Sequence, residues 1–424
     1  MDELRVLHAA DLHIDSPMHG LVAYDEAPVD EIRAATRTAM RSLVSEAIDR
    51  QVHLVLLAGD LYDGSWRDYN TGLFVVSQLA ELHDANIPVV IVYGNHDAES
   101  QLTKRLRLPP NTTRLSSDRP ETHLFSELGV AVHGQSYATR AIEVDLSLGY
   151  PSADRGLVNI GMLHTCFDGS LGHDPYAPCT LPGLQSKGYD YWALGHVHTH
   201  RVVSEDPMVV FPGNLQGRHI RETGPKGASL VTFVDHEPSL EQLTFDHVRW
   251  ERCRVDLTGT TSLDECLVLC REALLSVIGT GATTYAIRVE LDGPTNLSGL
   301  LRSKPEQITN EVRALAFDLG GADVWIEKVK TGTVPPSGRT ALEGEGVAGE
   351  IGRVLDDLKV DVSTLAASED PRIPPLSALR SQLRAAGGAD QVDVLGDAEI
   401  ATALDDAAEL LATLLGAEGT DHAN

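Results

Sequence analysis

The sequence has no paired cysteine motif, no long apolar run and no excess of positive charge. Its five cysteines are an odd number without a CxxC motif, which predicts reduced, buried thiols rather than a disulfide framework. No apolar run reaches membrane-spanning length, and the first predicted strand follows Met1 too closely to leave room for a signal peptide. We therefore expect a protein of the cytoplasm that does not engage a membrane.

The formal net charge of -28, from 34 Lys and Arg against 62 Asp and Glu, limits the partners. Proteins that coat nucleic acid without specificity use clustered cations, so the charge argues against this role. It is compatible with a local nucleic-acid site, because bound divalent metals supply concentrated positive charge.

Residues 1–248 alternate apolar strands with amphipathic helices, which is typical of an α/β domain. One helix is predicted to begin at Asp30, which can cap it, and a second near residues 71–85. Further along, short strands follow one another without long helices between them, so we expect a second sheet that is at least partly antiparallel. These runs are 129–134, 157–163, 189–194, 207–211 and 228–234. The simplest packing is two sheets face to face with helices outside.

The rest of the chain has a different periodicity. Residues 249–330 alternate three strands with two helices, which predicts a small α+β domain that caps the first. The segment 331–424 begins like a linker and carries 17 Asp and Glu against 6 Lys and Arg. A helix is predicted from Asp397, and its apolar face must be covered by the chain's own second domain, a second copy or a partner protein. That face is formed by Ile400, Leu404, Leu411, Leu414 and Leu415.

Polar side chains follow four of the predicted strands, at the point where each strand ends. These strand ends are Asp11-Leu12-His13, Gly59-Asp60, Gly94-Asn95-His96-Asp97 and Gly195-His196-Val197-His198. Open α/β sheets place their chemistry at the carboxyl ends of strands. Four polar strand ends therefore predict one shared site.

The residue types at these strand ends predict bound metal. Asp11 and His13 point to the same side of an extended segment and can grip one cation. Asp60 has two carboxylate oxygens, which can bridge two cations ~3.5–4 Å apart. The remaining ligands would be a carbonyl oxygen and three imidazole nitrogens, from Asn95, His164, His196 and His198. Oxygen and nitrogen ligands without thiolate suit Mn²⁺, Fe²⁺ or Zn²⁺, and the carboxylate content favours manganese.

The order DxH, GDxxD, GNHD, His and GHxH, with each part at a strand end, resembles the calcineurin-like metallophosphoesterases. More narrowly it resembles their SbcD-type DNA-repair exonucleases, and the stretches Phe211–His219 and His173–Cys179 are similar to the YhaO branch. The resemblance covers residues 1–235 and implies a four-layer α/β/β/α sandwich. The protein-phosphatase branch fits less well, because Gly64 rather than Arg follows the GDxxD motif.

Carried over position by position, the resemblance implies roles for nine residues. One metal would be held by Asp11, His13, Asp60 and His198, and the other by Asp60, Asn95, His164 and His196. His96 would be the catalytic imidazole, oriented by Asp97. As a hypothesis, two cations sharing Asp60 would activate a water for in-line attack on phosphorus, while His96 protonates the leaving oxygen.

Three functions are open at this point. The first is a manganese-dependent DNA exonuclease or endonuclease, which the resemblance implies to be a homodimer paired with an SbcC-like, SMC-like coiled-coil ATPase through residues 331–424. The second is a small-molecule or cyclic-nucleotide phosphodiesterase or phosphatase, over whose substrate the second domain closes. The third is a scaffold with structural metals, against which His96 argues because metal binding does not require it.

For the first function, two basic strips are predicted to contact DNA. One follows His96 in the sequence and the other lies in the YhaO-like stretch. They comprise Lys104, Arg105, Arg107, Arg114 and Arg119, and Arg218, Arg221 and Lys226.

Overall fold

The computed structural model describes residues 3–16, 28–63, 68–99, 106–167, 177–279, 284–317 and 323–336, together with Leu319, Glu350, Arg353 and Val354. Within these residues the strands are β1 (Leu4–Ala9), β2 (Leu54–Ala58), β3 (Val89–Val92), β4 (Thr112–Arg114), β5 (Glu121–Phe125), β6 (Val130–Gly134), β7 (Val158–His164), β8 (Tyr191–Gly195), β9 (Arg201–Glu205), β10 (Met208–Phe211), β11 (Gly227–Val234), β12 (Glu237–Thr244), β13 (Val248–Asp256), β14 (Thr284–Asp292) and β15 (Asp323–Thr331). The helices are α1 (Val29–Asp49), α2 (Tyr69–Asp84), α3 (Asn95–Glu99), α4 (Leu181–Gln185), α5 (Leu263–Val277), α6 (Ser298–Ser303) and α7 (Pro305–Phe317). The helix predicted from Asp397 lies outside the described residues.

The first sheet has a parallel centre of β1, β2 and β3 in the strand order β12–β11–β1–β2–β3–β4. Every residue of β2 and β3 is buried, as expected for parallel strands covered on both faces. The run 228–234, one of those from which a second sheet is predicted, instead forms β11 and pairs antiparallel with β1. The loop 212–226 carries the chain back to the first sheet, and the spacing of apolar runs does not reveal that return.

The second sheet has the order β5–β6–β7–β8–β10–β9. Its inner strands β6, β7, β8 and β10 run parallel, while the edge strands β5 and β9 pair antiparallel with their neighbours. The prediction of a partly antiparallel second sheet is confirmed.

Apolar layers join the two sheets and the helices outside them. Between the sheets, Leu56 and Val90 of the first pack in one cluster with Ile160 and Tyr191 of the second. On the outer face of the first sheet, α1 and α2 bury a second cluster that includes Leu43, Leu79 and Ile91. On the outer face of the second sheet the cluster includes Leu184, Trp192 and Phe211. The predicted four-layer α/β/β/α sandwich is confirmed.

The two long helices begin in different ways. α1 starts at Val29 with Pro28 as its N-cap, so the predicted capping role of Asp30 is wrong. Asp30 lies instead in the first turn, where a carboxylate interacts favourably with the partial positive charge of the helix N-terminus. α2 has a side-chain cap, because Asp68 accepts a hydrogen bond from the N–H of Asn70.

His8 links the two sheets and makes the fold sensitive to acid. Its Nδ1 accepts from the Tyr191 hydroxyl at 2.8 Å and its Nε2 donates to the Leu194 carbonyl at 3.1 Å. Burial lowers the pKa of His8 from 6.5 to about 3. The folded protein therefore keeps this ring neutral, whereas the unfolded chain protonates it below 6.5, so the stability contributed by neutral His8 is present above that pH and is lost as the pH falls.

We expect the free energy of unfolding of the wild type to fall more steeply with acid than that of His8→Gln, by about 1.4 kcal/mol per pH unit between roughly pH 6 and 4. Urea unfolding of both proteins, in the presence of a chelator so that metal release does not contribute, measures this difference. Parallel pH profiles for the two proteins would contradict it.

The chain divides into two compact units. The first is Met1–Arg252, Ser276–Arg288 and Leu319–Glu327, and the second is Cys253–Leu275, Val289–Asp318 and Lys328–Asn424. The strands β13, β14 and β15 form a three-stranded sheet with β14 in the centre. The predicted domain boundaries after residues 248 and 330 stay predictions.

All five cysteines are free and buried, which confirms the prediction from their number and spacing. Three of them, Cys253, Cys266 and Cys270, lie in the core of the second unit. No helix within the described ranges is both long and apolar enough to cross a bilayer.

Candidate metal centre

The polar strand ends lie together at one edge of the sandwich. Seven predicted ligands come from the ends of β1, β2, β3, β7 and β8: Asp11, His13, Asp60, Asn95, His164, His196 and His198. Six of them form two sets whose ligand atoms all lie within 4.8 Å of one another. Site A comprises Asp11, His13 and His198, and site B comprises Asp60, His164 and His196.

Asp60 and Asn95 lie where the two sites meet. Asp60 Oδ2 is 3.4 Å from His164 Nε2 of site B and 3.9 Å from His13 Nε2 of site A. Asn95 Oδ1 is 3.0 Å from His164 Nε2, so it can join site B. The carboxylate of Asp60 is thus close enough to both sites to serve each of them.

Three of the four histidines of the two sites are oriented by hydrogen bonds at the ring nitrogen that faces away from the centre. Nδ1 of His13 donates to Asp63 Oδ1 at 3.1 Å, and Nδ1 of His164 donates to the Ala58 carbonyl at 3.0 Å. Nδ1 of His198 donates to Glu222 Oε1 at 2.7 Å. A proton held at Nδ1 leaves the lone pair of Nε2 available to a cation, which is the usual arrangement around protein-bound metals.

The donor atoms of both sites fit divalent cations. His13 is 1% exposed, yet its Nε2 has no hydrogen-bond partner within the part of the chain that the structure describes. A buried polar atom without a partner is costly unless a ligand completes it. Carboxylate and imidazole donors without sulfur are those that Mn²⁺, Fe²⁺ and Zn²⁺ accept. The residues present therefore fit a pair of divalent cations, one at each site.

Four of the predicted ligands have backbone conformations that side-chain-bearing residues rarely adopt. Their φ angles are positive: +51° at Asp11, +42° at His13, +53° at Asp60 and +103° at His196. Such conformations cost about 1–3 kcal/mol each and are found at functional sites, where the surrounding structure maintains them. Here the strained turns direct side chains from several strand ends toward one centre.

The site leaves no room at Gly94. A Cβ at this position would lie 2.3 Å from Asp60 Oδ1 and 2.8 Å from His164 Cε1. Any side chain would therefore displace the two groups that define site B. The glycine of the GNHD motif is therefore required by its packing against the ligands.

His96 lies beside His13 of site A, with the two ring centroids 5.0 Å apart, and is held by Asp63. Nδ1 of His96 is 3.2 Å from Asp63 Oδ1, the oxygen that also accepts from His13. Desolvation lowers the pKa of His96, but the hydrogen bond to Asp63 and the charges of Asp60 and Asp63 outweigh it and raise the pKa above its ordinary value. The protonated imidazolium form is therefore favoured.

Asp97 ties together the two loops that carry Asp60 and Asn95. It is fully buried, and its carboxylate accepts from the backbone N–H groups of Leu61 at 3.0 Å, Tyr62 at 3.2 Å and Gly94 at 3.1 Å. The predicted role of Asp97 in orienting His96 stays a prediction. Asp63, for which that role is not predicted from the sequence, makes the 3.2 Å contact with His96 Nδ1.

Glu222 and Arg218 form a second support behind site A. Glu222 is 6% exposed and accepts from His198, from the Asn214 side chain at 2.9 Å and from the guanidinium of Arg218 at 2.8 Å. Burial raises the pKa of the Glu222 carboxyl, but the hydrogen bonds and charges of His198 and Arg218 outweigh it and hold this pKa far below its usual range. Glu222 therefore remains charged behind the ligand that it orients.

The predicted DNA-contacting residues are placed in three kinds of environment. Arg107, Arg114, Arg119 and Arg221 are exposed. The side chain of Arg218 is only 13% exposed and Lys226 is 6% exposed, with its Nζ donating to the His198 carbonyl at 2.9 Å. Lys104 and Arg105 lie outside the described residues. The structure therefore offers four described cations at the surface and two that are bound within the protein.

Two functional residues were missed from the sequence. Asp63 had a signal, since it is the second acid of the GDxxD motif and lies three residues after Asp60. Glu222 had none, because it is 24 residues from the histidine that it orients and belongs to no repeated pattern.

Comparison with known families and proteins agrees with this geometry. A family model for calcineurin-like phosphoesterases matches residues 4–200, and one for the middle domain of metallophosphoesterase YhaO matches residues 250–334. The uncharacterized metallophosphoesterase YhaO of Bacillus subtilis strain 168 is 35% identical over 297 residues, which are 69% of this chain and 72% of that protein.

More distant similarity extends to archaeal DNA double-strand break repair proteins Mre11. The protein of Haloferax volcanii is 26% identical over 301 residues, 68% of this chain and 64% of that protein. The protein of Saccharolobus solfataricus is 27% identical over 258 residues, 57% of this chain and 63% of that protein. With the match to YhaO and the converging strand ends, these findings mean that the chain belongs to the calcineurin-like metallophosphoesterases, a family of hydrolases.

Proposed function

We propose that the protein is a two-metal phosphodiesterase that cleaves DNA, with His96 as the general acid. The observation that carries the proposal is the position of His96: its ring centroid is 5.0 Å from that of His13 in site A, its backbone N–H donates to Asp60 Oδ1 of site B at 3.0 Å and its Nδ1 is paired with Asp63, while sites A and B are formed without it. A purely structural metal centre has no need of such a group. A phosphoester hydrolase needs it to release the leaving oxygen.

The chain's own residues would divide the work as follows. Asp11, His13, Asp60 and His198 would hold one cation, and Asp60, Asn95, His164 and His196 would hold the other. Two cations bound there would lower the pKa of a water and neutralise charge on the phosphoryl oxygens. Asp63 keeps His96 protonated at Nδ1, and His96 donates its second proton, from Nε2, to the leaving oxygen.

The DNA part of the proposal is supported by the similarity to the Mre11 proteins and by exposed cations. Arg107 and Arg114 follow the GNHD loop in the chain, and Arg221 lies in the loop that carries Glu222. With a net charge of -28 the protein as a whole repels a phosphate backbone, so much of the attraction would come from the bound metals.

One substrate panel tests the proposal. Purified protein with Mn²⁺ is given labelled duplex DNA, single-stranded DNA, cyclic AMP, bis-p-nitrophenyl phosphate and p-nitrophenyl phosphate. We expect DNA and the aryl diester to be cleaved, and a chelator to stop both reactions. Preference for cyclic AMP or for the monoester would replace the nuclease with a small-molecule phosphodiesterase or phosphatase, and no turnover of any substrate would favour the scaffold.

Arg107→Glu/Arg114→Glu is expected to weaken duplex binding and to flatten its salt dependence. Each lost phosphate contact lowers the slope of log K against log salt by about 0.9. Binding would be measured with a His96→Asn background, so that DNA is not cut during the titration. Arg155→Glu is a suitable control, because Arg155 is exposed and precedes β7, at the opposite end of the strands from the centre. Equal slopes for all three proteins would remove Arg107 and Arg114 from the binding surface.

The family resemblance also suggests which metal and which partners the protein binds. We propose Mn²⁺ as the metal, a homodimer as the assembly, and an SMC-like coiled-coil ATPase that binds residues 331–424. Light scattering on the purified protein, and its mixture with such an ATPase, test the last two points.

A further inference from the structure

Arg218 lies between two carboxylates that each orient a ligand of the same cation site. Its Nη2 donates to Glu222 Oε1 at 2.8 Å and its Nε contacts Glu222 Oε2 at 3.3 Å, a forked pairing. On the other side, its Nη1 is 3.8 Å from Asp63 Oδ2. Glu222 holds His198 and Asp63 holds His13, and both histidines belong to site A.

Site B is supported differently. Its His164 is oriented by the backbone carbonyl of Ala58, which the sheet itself keeps in place. A change at Arg218 would leave that carbonyl where it is. The guanidinium of Arg218 therefore helps to orient ligands of site A, whereas the group that orients His164 in site B does not depend on it.

The environment of Arg218 is that of a structural group rather than of a DNA contact. Its side chain is 13% exposed, and the carboxylates of Glu222 and Asp63, next to which it lies, are 6% and 13% exposed. Partly buried carboxylates need a compensating partner, because a charge without one is costly in a protein interior. Without the guanidinium of Arg218, Glu222 Oε2 would keep the hydrogen bonds from the Asn214 side chain at 2.9 Å and from the backbone N–H of Arg218 at 2.8 Å, but Glu222 would lose its cationic partner and the 2.8 Å hydrogen bond at Oε1, the oxygen that accepts from His198.

We propose that Arg218 is a positioning residue that selectively builds site A, by holding Glu222 and Asp63 where they orient His198 and His13. The inference rests on the proposed two-cation centre. A second effect of Arg218 acts in the opposite direction. A positive charge repels a nearby metal cation, so electrostatics alone predicts tighter metal binding when Arg218 is neutralised. Orientation predicts weaker binding, and the direction of the change decides between them.

The test is the Mn²⁺ affinity of each site, measured with the metal alone by calorimetric titration. For the wild type we expect two bound Mn²⁺, with an electron paramagnetic resonance signal of a coupled pair. For Arg218→Gln we expect one tight Mn²⁺ to remain and the other to bind about 10- to 100-fold more weakly, the range usual for loss of a group that orients a metal ligand. At one equivalent of Mn²⁺ the variant would show the six-line signal of an isolated ion.

Two further variants separate geometry from charge. Arg218→Lys keeps the charge but loses the planar fork, so site A should also weaken, though less than in Arg218→Gln. Arg155→Gln removes an exposed cation at the opposite end of the strands from the centre and should bind two Mn²⁺ like the wild type. If Arg218→Gln does not fold, Arg218→Lys alone carries the test, because it keeps the charge and lacks the fork that contacts Glu222.

Several results would overturn the inference. Unchanged or tighter binding of both ions by Arg218→Gln would show that charge outweighs orientation. Equal weakening of both sites would show a general effect on the fold rather than a selective one. If Arg218→Gln bound two Mn²⁺ normally but bound duplex DNA more weakly in a separate titration with chelator, Arg218 would be a DNA contact instead. Fewer than two ions in the wild type would overturn the proposed two-metal function itself, which the other outcomes leave standing.

Discussion

His96→Asn is expected to slow DNA cleavage by about 10²- to 10⁴-fold while both cations stay bound. The imidazole is paired with Asp63 at 3.2 Å and its pKa is raised, so it is suited to give up a proton near neutral pH. Asparagine has similar polarity but has no proton to donate at that pH. Turnover should therefore fall without loss of metal.

The leaving group sharpens this prediction. DNA releases a sugar alkoxide, which must be protonated as it leaves. Bis-p-nitrophenyl phosphate releases a stabilised phenolate, whose departure depends less on protonation. The loss in kcat should therefore be smaller for the aryl diester than for DNA. His83→Asn, an exposed histidine near the end of α2, serves as the matched control and should leave both rates unchanged.

One alternative for His96 is a role as a metal ligand. His13, Asp63 and His96 also form a set whose ligand atoms lie within 4.8 Å, and such a set could hold an ion. The hydrogen bonds of the two Nδ1 atoms with Asp63 Oδ1 already account for this closeness. Elemental analysis of His96→Asn decides the matter: a lost equivalent of metal, or equal losses in kcat for both substrates, would contradict the general-acid role.

Asp60→Asn is expected to remove both cations and to reduce activity to that of chelator-treated protein. Asp60 Oδ2 lies 3.4 Å from His164 Nε2 and 3.9 Å from His13 Nε2, so its carboxylate is placed to serve both sites. Its Oδ1 also accepts from the N–H of His96 at 3.0 Å. An amide has one oxygen and no charge, so it cannot replace a bridging carboxylate.

Metal content after gel filtration measures this result. Asp49→Asn at the exposed end of α1 makes the same chemical change away from the centre and should keep two ions. If Asp60→Asn retained one ion with its activity lost, the carboxylate would serve a single site, and the bridging prediction would be wrong.

The strand ends of the centre were predictable because they combine two strong local signals. β2 and β3 are continuous apolar runs, which indicates strands buried on both faces, and each is followed by Gly and a polar residue. Since parallel strands in a sheet share one carboxyl edge, the convergence of Asp60 and Asn95 follows from topology alone. His164 was predictable in the same way, as the last residue of β7.

What could not be predicted depends on contacts between segments far apart in the chain. β12 follows β11 through the turn at Asp235 and His236. It is an edge strand whose residues are mostly exposed and polar and which begins with Glu237 and Pro238, so its sequence does not predict a strand. In the sequence, Arg218 is one of several cations in a loop and was predicted to contact DNA, while Glu222 belongs to no motif. Their pairing is visible only once the loop 212–226 folds back against His198.

The division of each cation site between the two sheets has a consequence for the apolar layer that joins them. Site A takes Asp11 and His13 from the first sheet and His198 from beyond a strand of the second, and site B is divided in the same way. Sliding one sheet over the other by about 1 Å would spoil both sites together, and misplacement on that scale costs about 100-fold in rate. The residues packed between the sheets, such as Leu56 and Ile160, therefore keep the two halves of each candidate cation site in register, and we expect substitutions there to weaken metal binding as well as to lower stability.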